Sequence, residues 1–530
     1  MNNKSALNGV YFPVILCACC ALAYLFGTLN ASYYSPSTNS SQNNKVNYLI
    51  DVIENNYVDS IDRQFLIENS ISGMLEKLDP HSVYIPPKDV AQANEGLQGH
   101  FGGVGVRFII LRDTLMITNV IKGGPSQIAG LRSGDRIVKV DSTNITGKGI
   151  KNEDVFKLLK GPFGSEVELT IYRPKENSRV LKTIIRGQIP LPSIDAAFIL
   201  KENIGYIKLS TFSDKTPGEF NAALTKLKSS GMQKLILDLR YNSGGYLHGA
   251  ISVADEFLSS DNLIVYTEGL HQKRENHYAS KWGSFERGEL IVLVNSGSAS
   301  ASEIVSGAIQ DNDRGIILGR RTFGKGLVQQ PIKLSDNSEL RLTVSRYFTP
   351  TGRSIQKPYD DNENYNNELM ERYSNGEMYA QDSSSFSEQD KFITPKGKVV
   401  YGGGGISPDI FVPLDSSSFS EDYSSLYYST AFRDFCFDFF YANKNTFQFS
   451  SVIDYTENYS ISNNLLEAFL DYAKNNNKIK VNNSLESNSK VLIKAQLKSE
   501  FASYLYNQEA RYFLSASKDN DIQKAIKALD

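Results

Sequence analysis

The chain has 530 residues, 41% of them hydrophobic and 22% charged, with a formal net charge of -3. That length exceeds one core and points to about three folded units, and the near-balanced charge with no lysine or arginine block gives no pull toward nucleic acid. Of the four cysteines, Cys17, Cys19 and Cys20 lie in one apolar stretch, so the folded part keeps only Cys436; this excludes an internal disulfide there, and no Cys/His spacing resembles a zinc site.

Lys4 precedes an apolar run over residues 10–29, a length that spans a bilayer as a helix. The lone lysine favours keeping the N-terminus inside and exporting the rest. Residues 1–31 are therefore expected to be a signal anchor. A cleaved signal peptide is the alternative, although neither Leu29 nor Asn30 suits a small-x-small site. Leu16–Cys19 loosely matches a lipoprotein box. A polar linker follows over 32–44.

Residues 42–95 predict a helical arm. Val46, Leu49, Ile50, Ile53 and Tyr57 recur at helical spacing, as do Leu66, Ile67, Ile71, Met74 and Leu75; Asp79-Pro80 breaks the pattern. Residues 96–188 change to short β-like runs with one helix near Glu153–Leu159, a small β domain. Residues 189–412 alternate strands and helices, which predicts a layered α/β core. Within it, the stretch 358–398 is rich in Asn, Asp, Glu and Ser and reads as a flexible insert. Residues 413–530 are helical and aromatic; Phe432, Phe435, Phe437, Phe439, Phe440 and Tyr441 read as a helical core rather than a binding surface. The fold class is a multi-domain α/β chain.

The chemistry concentrates in three segments. The first, NSGSASASE over 295–303, follows an apolar strand and precedes a helix. Ser300 there sits on a rigid turn beside N–H groups at a helix N-terminus, which suit a developing oxyanion. Ser300 with Glu303 also matches a capping box. The second, TFGKGLVQQ over 322–330, places Lys325 between two glycines. A lysine is a general base only when neutral, and burial lowers its pKa. Gln329 has an amide that can orient the amine without adding charge. The third, DLRYNSGG over 238–245, puts Gly244 and Gly245 at a strand's C-terminal end, where α/β sheets build sites.

Together these segments resemble the C-terminal processing peptidases, or tail-specific proteases. LDPHSVY over 78–84 looks like the family's motif ahead of its PDZ domain, and YFTPTGRSIQ over 347–356 and GISPD over 405–409 look like its later segments. The resemblance implies Ser300 as nucleophile, Lys325 as base and Gln329 as orienter. It implies oxyanion donors at Ala301 N–H and Gly244 N–H, with Gly245 the close alternative. Residues 96–188 resemble a PDZ domain. Phe101, Gly102, Gly103, Val104, Gly105 and Val106 look like its carboxylate-binding loop, and AGLRSGDRIVKV over 129–140 like its midsection. Phe108, Leu158 and Leu159, with Val106, are expected to line an apolar pocket or to pack in the core. A PDZ domain adds the substrate's last residues as an extra strand. The implied function is a serine endopeptidase of the cell envelope, anchored in the inner membrane with its catalytic part on the periplasmic side. Its partners are protein substrates held by their C-termini, the membrane through the N-terminal segment, and a possible second copy of itself. No cofactor and no metal is expected.

Three rivals are weaker. Gly319 to Lys325 fits the P-loop spacing, but Gly326 and a strand follow where Ser or Thr and a helix are needed. A Ser–His–Asp site would need a histidine such as His248, the one nearest the glycine pair. A non-catalytic PDZ scaffold has no need of Ser300, Lys325 and Gln329 together.

Overall fold

Asp79-Pro80 divides the chain. The computed structural model describes residues 40–174, 176–360, 362–380, 390–415, 420–480 and 486–530, and they form two compact units, one ending at Leu78 and one running from Asp79 to Asp530. The first contains helices α1 (Ser40–Asn56) and α2 (Arg63–Leu75), tied by Arg63 to Asp51 and Glu54 at 2.6 and 2.7 Å. Asp79 starts the second unit by accepting the His81 and Ser82 N–H groups, both at 2.8 Å. Strand β1 (Val83–Ile85) and helix α3 (Pro87–Gln98) follow. The arm expected over 42–95 is thus cut after Leu78.

Next comes β2 (His100–Gly103) and then five antiparallel strands in order: β3 (Val106–Leu111), β4 (Thr114–Val120), β5 (Arg136–Val140), β6 (Glu166–Arg173) and β7 (Ser178–Ile185). Helix α4 (Asn152–Leu159) closes this sheet by burying Val155 and Leu159 against Leu115, Ile137 and Leu169. β2 pairs with β8 (Gly187–Pro190), and β3 is an edge strand.

The large sheet runs β9 (Ile194–Lys201), β10 (Ile204–Leu209), β11 (Lys234–Asp238), β14 (Glu289–Val294), β15 (Ile316–Gly319) and β18 (Ile410–Phe411). Only the β9–β10 pair is antiparallel. All six residues of β10 are buried, as a parallel sheet covered on both faces requires. One face meets α5 (Thr216–Ser229), α6 (Leu247–Asp255) and α7 (Ala301–Asp311) through Phe220, Val253 and Val305. A second, antiparallel sheet is ordered β1, β17 (Glu339–Phe348), β12 (Leu263–Glu268), β13 (Glu275–Tyr278), with β16 (Leu327–Lys333) also on β17.

One region departs from expectation. The polar insert contains an ordered helix, α8 (Asn362–Ser374), whose Arg372 side chain is 2% exposed. The C-terminal region is helical around an aromatic core, as expected. Its aromatic core packs Phe432, Phe435, Phe469 and Phe501 between α9 (Ala431–Ala442), α10 (Asn463–Asn476) and α11 (Ser487–Leu505). Phe437 leaves that core for Ile109, Leu111 and Met116 of the small β domain. After α12 (Gln508–Ala516), α13 (Asn520–Leu529) lays Ile522, Ala525 and Leu529 on Ile236, Ile291 and Leu293, covering the other face of the large sheet.

The expected membrane attachment is corrected. Among the described residues no helix is long and apolar enough to cross a membrane; the longest, α11, carries Lys490, Lys494, Lys498 and Glu500. The apolar run over 10–29 lies outside the described residues. The signal anchor, the membrane partner and the inner-membrane placement are therefore withdrawn.

Arg353 and Asp311 form an ion pair at 2.6 Å with both side chains 0% exposed, and Arg353 also donates to Gln310 Oε1 at 2.7 Å. Removing one partner strands a buried charge. Arg353→Met is expected to cost about 3–5 kcal/mol, seen as a lower urea midpoint. Adding Asp311→Asn should recover part of the loss.

Candidate active site

Ser300 occupies the turn between β14 and α7 with φ 54 and ψ -112. A non-glycine residue there costs on the order of 1–3 kcal/mol and persists only if its surroundings hold it. The holding group is Glu303, itself fully buried. Its carboxylate accepts Ser300 N–H at 2.8 Å, Thr322 Oγ1–H at 2.6 Å, Gly324 N–H at 2.7 Å and Lys325 N–H at 2.9 Å. Burial pushes this carboxyl up to about 7, against the pull of those four donors. Tyr347, buried on β17, reaches Lys325 O at 2.6 Å and Ser300 O at 3.2 Å with its hydroxyl.

Ser300, Ala301, Lys325, Gln329, Gly244 and Gly245 all line one cavity of about 380 Å³. The six residues predicted from three separate motifs thus converge. The glycine pair comes close because nothing larger fits: a Cβ on Gly245 would lie 2.0 Å from Phe212 O, and one on Gly244 2.8 Å from Ser300 Cβ. Gly244 N–H is already given to Asn242 Oδ1 at 2.9 Å. Among the described residues, Gly245 N–H and Ala301 N–H have no protein acceptor.

Lys325 is half-buried, and burial lowers its pKa; Asp79 and Glu303 oppose this, while Arg341 reinforces it. Among the described residues Lys325 Nζ has no hydrogen-bond or ion-pair partner, Ser300 Oγ included. Gln329 turns elsewhere. Its amide donates to Thr343 Oγ1 at 3.3 Å, and Thr343 donates to Asp79 Oδ1 at 3.1 Å. Sequence reading had given Asp79 and His81 no role, yet both face Lys325. His81 shares a 2.7 Å hydrogen bond with Tyr365, and burial, with Lys325 nearby, lowers its pKa to about 4. The charged motif DPH ahead of the β domain was the available signal. His248 does not line the cavity; it is exposed and faces Asp214 at 3.4 Å. No cluster among the described residues is arranged to hold a metal ion.

The expected tail-binding residues divide. Phe101 and Gly102 line a second cavity, of about 990 Å³, with Phe156, Lys160 and Phe163. Val104 and Leu159 are buried in the small domain's core, with Val106, Phe108 and Leu158 packed partly against it. Gly103 pairs with Gly187 on β8, and Gly105 takes a positive φ of 78. Helix α3 walls both cavities: Ala93, Asn94, Gly96 and Leu97 face the first, and Lys88, Ala91, Gln92, Glu95 and Gln98 the second.

Comparison with known proteins now has a geometry to attach to. The family model for peptidase family S41 matches residues 203–361 and a PDZ domain model matches 116–173. The N-terminal domain of the activating protease CtpB matches 28–88, and a family of unknown function matches 423–507. A carboxy-terminal-processing protease of Bartonella bacilliformis is 37% identical over 343 residues, 63% of this chain and 78% of that one. The carboxy-terminal processing protease CtpB of Bacillus subtilis is 32% identical over 316 residues, 59% of this chain and 65% of that one. The chain belongs to the S41 family of serine-type carboxy-terminal-processing proteases. Among solved structures, the photosystem II D1 C-terminal processing protease is similar at 28% identity, covering 67% of this chain and 84% of that one with a TM-score of 0.36.

The electrostatics around Lys325 give a signed test. The Asp79 carboxylate favours the ammonium form, so Asp79→Asn lowers the lysine's pKa further. Activity that requires neutral lysine rises with pH through that pKa. The rising limb of kcat/KM against pH is therefore expected at lower pH in Asp79→Asn than in the parent.

Proposed function

We propose that this S41 peptidase cleaves protein substrates selected by their free C-terminal ends, with Ser300 as nucleophile and Lys325 as its general base. The observation that carries the reading is the convergence of Ser300, Lys325, Gln329 and two unengaged backbone donors on one cavity. Neutral Lys325 takes the proton as Ser300 Oγ attacks the scissile carbonyl. The tetrahedral oxyanion falls to Ala301 N–H and Gly245 N–H, since Gly244 N–H is held by Asn242. Collapse expels the amine, which takes the proton back from Lys325 and leaves an acyl-enzyme ester. Water, deprotonated by the same lysine, then releases the acid. The lysine–serine hydrogen bond forms when substrate closes the site, a common difference between free and substrate-bound enzymes. Gln329 orients the amine by turning from Thr343.

Tail selection rests on β3, whose outer edge is unpaired beside α4. An extended peptide adds there as a strand, with its carboxylate on N–H groups of the 101–106 loop. Phe108 and Phe156 meet edge to face at 5.6 Å across this groove and give the last side chain an apolar surface.

Ser300→Ala and Lys325→Ala are each expected to abolish turnover of a reporter peptide without loss of fold, and the double variant to be no worse than either single. Wild-type rates in Lys325→Ala would overturn the assignment of the base. A C-terminally amidated substrate loses a charge-assisted hydrogen bond worth about 1.5–3 kcal/mol. At low concentration it is expected to be cut about tenfold more slowly, or worse. Equal rates for free-acid and amidated peptides would remove the tail-selection reading and leave the chemistry standing.

A further inference from the structure

The loop that carries Lys325 runs from β15 to β16 outside any strand ladder, and its backbone groups find both backbone and side-chain partners; Thr322 N–H donates to Ile406 O at 3.1 Å and Phe323 N–H to Ser298 O at 3.0 Å. Its N–H side belongs to the core: Gly324 and Lys325 donate to Glu303, and Gly326 N–H to Gln356 Oε1 at 2.8 Å. Its carbonyl side is shared: Tyr347 of β17 donates its hydroxyl to Lys325 O at 2.6 Å and its N–H to Gly326 O at 3.0 Å, while the polar insert, which starts at the end of the stretch matched by the S41 model, holds the carbonyls that lead into the lysine. Arg372 of α8 donates through Nη1 to Thr322 O at 2.8 Å. Nε and Nη2 of the same guanidinium are fixed on Glu368 Oε1 at 2.9 and 2.7 Å. Glu368 also takes Lys357 Nζ at 2.8 Å, and the Lys357 N–H donates to Gly324 O at 3.0 Å. Near the start of the loop, Arg321 is gripped by Glu377 at 2.6 and 2.7 Å. Tyr365 of α8 places its ring edge against Phe323, with centroids 6.0 Å apart, while its hydroxyl meets His81.

A buried Arg–Glu–Lys cluster is a weak source of stability, because desolvation offsets most of the Coulombic gain. What it does supply is a single geometry for the backbone it binds. We propose that Arg372 and Glu368 are positioning residues for Lys325: α8 clamps the Thr322 carbonyl at the entry of the lysine loop and, with Tyr347 on the exit side, sets where the base's Nζ lies in the cavity. The proposal rests on Lys325 being the base. The charged and titratable groups around that lysine are Asp79, Glu303, Arg341 and His81; Arg372 acts through the backbone and not through its own charge.

The test compares the full chain with Arg372→Met, Arg372→Lys, Glu368→Gln and Lys325→Ala, using one free-acid peptide. In Arg372→Met the expected result is a kcat at least about tenfold lower, as misplacing a catalytic group by ~1 Å can cost more than that. KM should stay within about twofold because the tail groove is untouched. The rising pH limb should move to higher pH, as water admitted around Lys325 relieves the desolvation that lowers its pKa. Arg372→Lys should restore part of kcat, and Arg372→Met with Glu368→Gln should be no worse than Arg372→Met alone. A parent-like kcat and limb in Arg372→Met overturn the proposal. So does activity lost only in step with the folded fraction, with the limb unmoved in what remains. If Arg372→Met does not fold, Glu368→Gln is judged by the same kcat and pH criteria. Lys325→Ala separates the two layers: if it is dead while Arg372→Met is normal, only the clamp fails; if it is active, the base assignment fails first.

Discussion

One carboxylate holds the two halves of this site together. Glu303 accepts four donors, one from the Ser300 turn and three from the Lys325 loop. Ser300 and Lys325 lie 25 positions apart in sequence and come from opposite ends of the α7–β15 unit. Without a shared acceptor, each loop would bring its own unpaired N–H groups into a buried space, at about 1–3 kcal/mol apiece. The strained backbone of Ser300 uses the same acceptor: at its positive φ the N–H is taken by Glu303 while Tyr347 holds its carbonyl.

Such a hub is itself costly. Among the described residues no cation forms an ion pair with the buried Glu303, and burial lifts its carboxyl to about 7. A raised carboxyl favours folding only while protonated, below its unfolded range near 4.5, and that contribution is lost as pH rises through about 7. Ionised, the group also raises the pKa of Lys325. The site therefore carries an internal opposition: the carboxylate that places the lysine also resists its deprotonation. Desolvation of the lysine is the larger influence and sets the sign.

That Ser300, Lys325 and the glycine pair are candidates for one site was legible in the sequence because each follows an apolar strand, a position that periodicity marks well; the fold brings them to one cavity. The capping box at Ser300 and Glu303 was legible too, but as a local device; only the fold shows that the same glutamate reaches across to residues 322–325. Gly244 was the expected second oxyanion donor, and a neighbour two residues back, Asn242, claims its N–H. Helix α8 was missed for a different reason. It buries Arg372 and half-buries Glu368 beside the Tyr365 ring and leaves Leu369 and Met370 exposed, so its inward face mixes charge with one aromatic ring and apolar spacing does not mark it. The closing helix α13 was legible as a helix but not as part of the core, since nothing local tells which surface Ile522, Ala525 and Leu529 cover.

Helix α3 extends the same logic to the tail groove. One face meets the cavity with Ser300 and the other meets the cavity with Phe101 and Phe156. Across the second, Glu95 pairs with Lys160 at 2.5 Å, and the Lys160 ammonium lies over the Phe101 and Phe156 rings. The α3 side of the first wall is tied down by Asn94 to Glu339 at 3.0 Å and by Arg341 to Asn94 Oδ1 at 3.0 Å. Arg341 is also a charge felt by Lys325. On its far side the small domain is held by Phe437 and by Arg112 to Asp438 at 2.8 Å, so the C-terminal helices limit how far it can retreat. A segment of twelve residues packed against both cavities cannot be displaced in one without altering the other's wall. The cavity that holds Lys160 and the cavity that holds Ser300 therefore share α3 as a common wall.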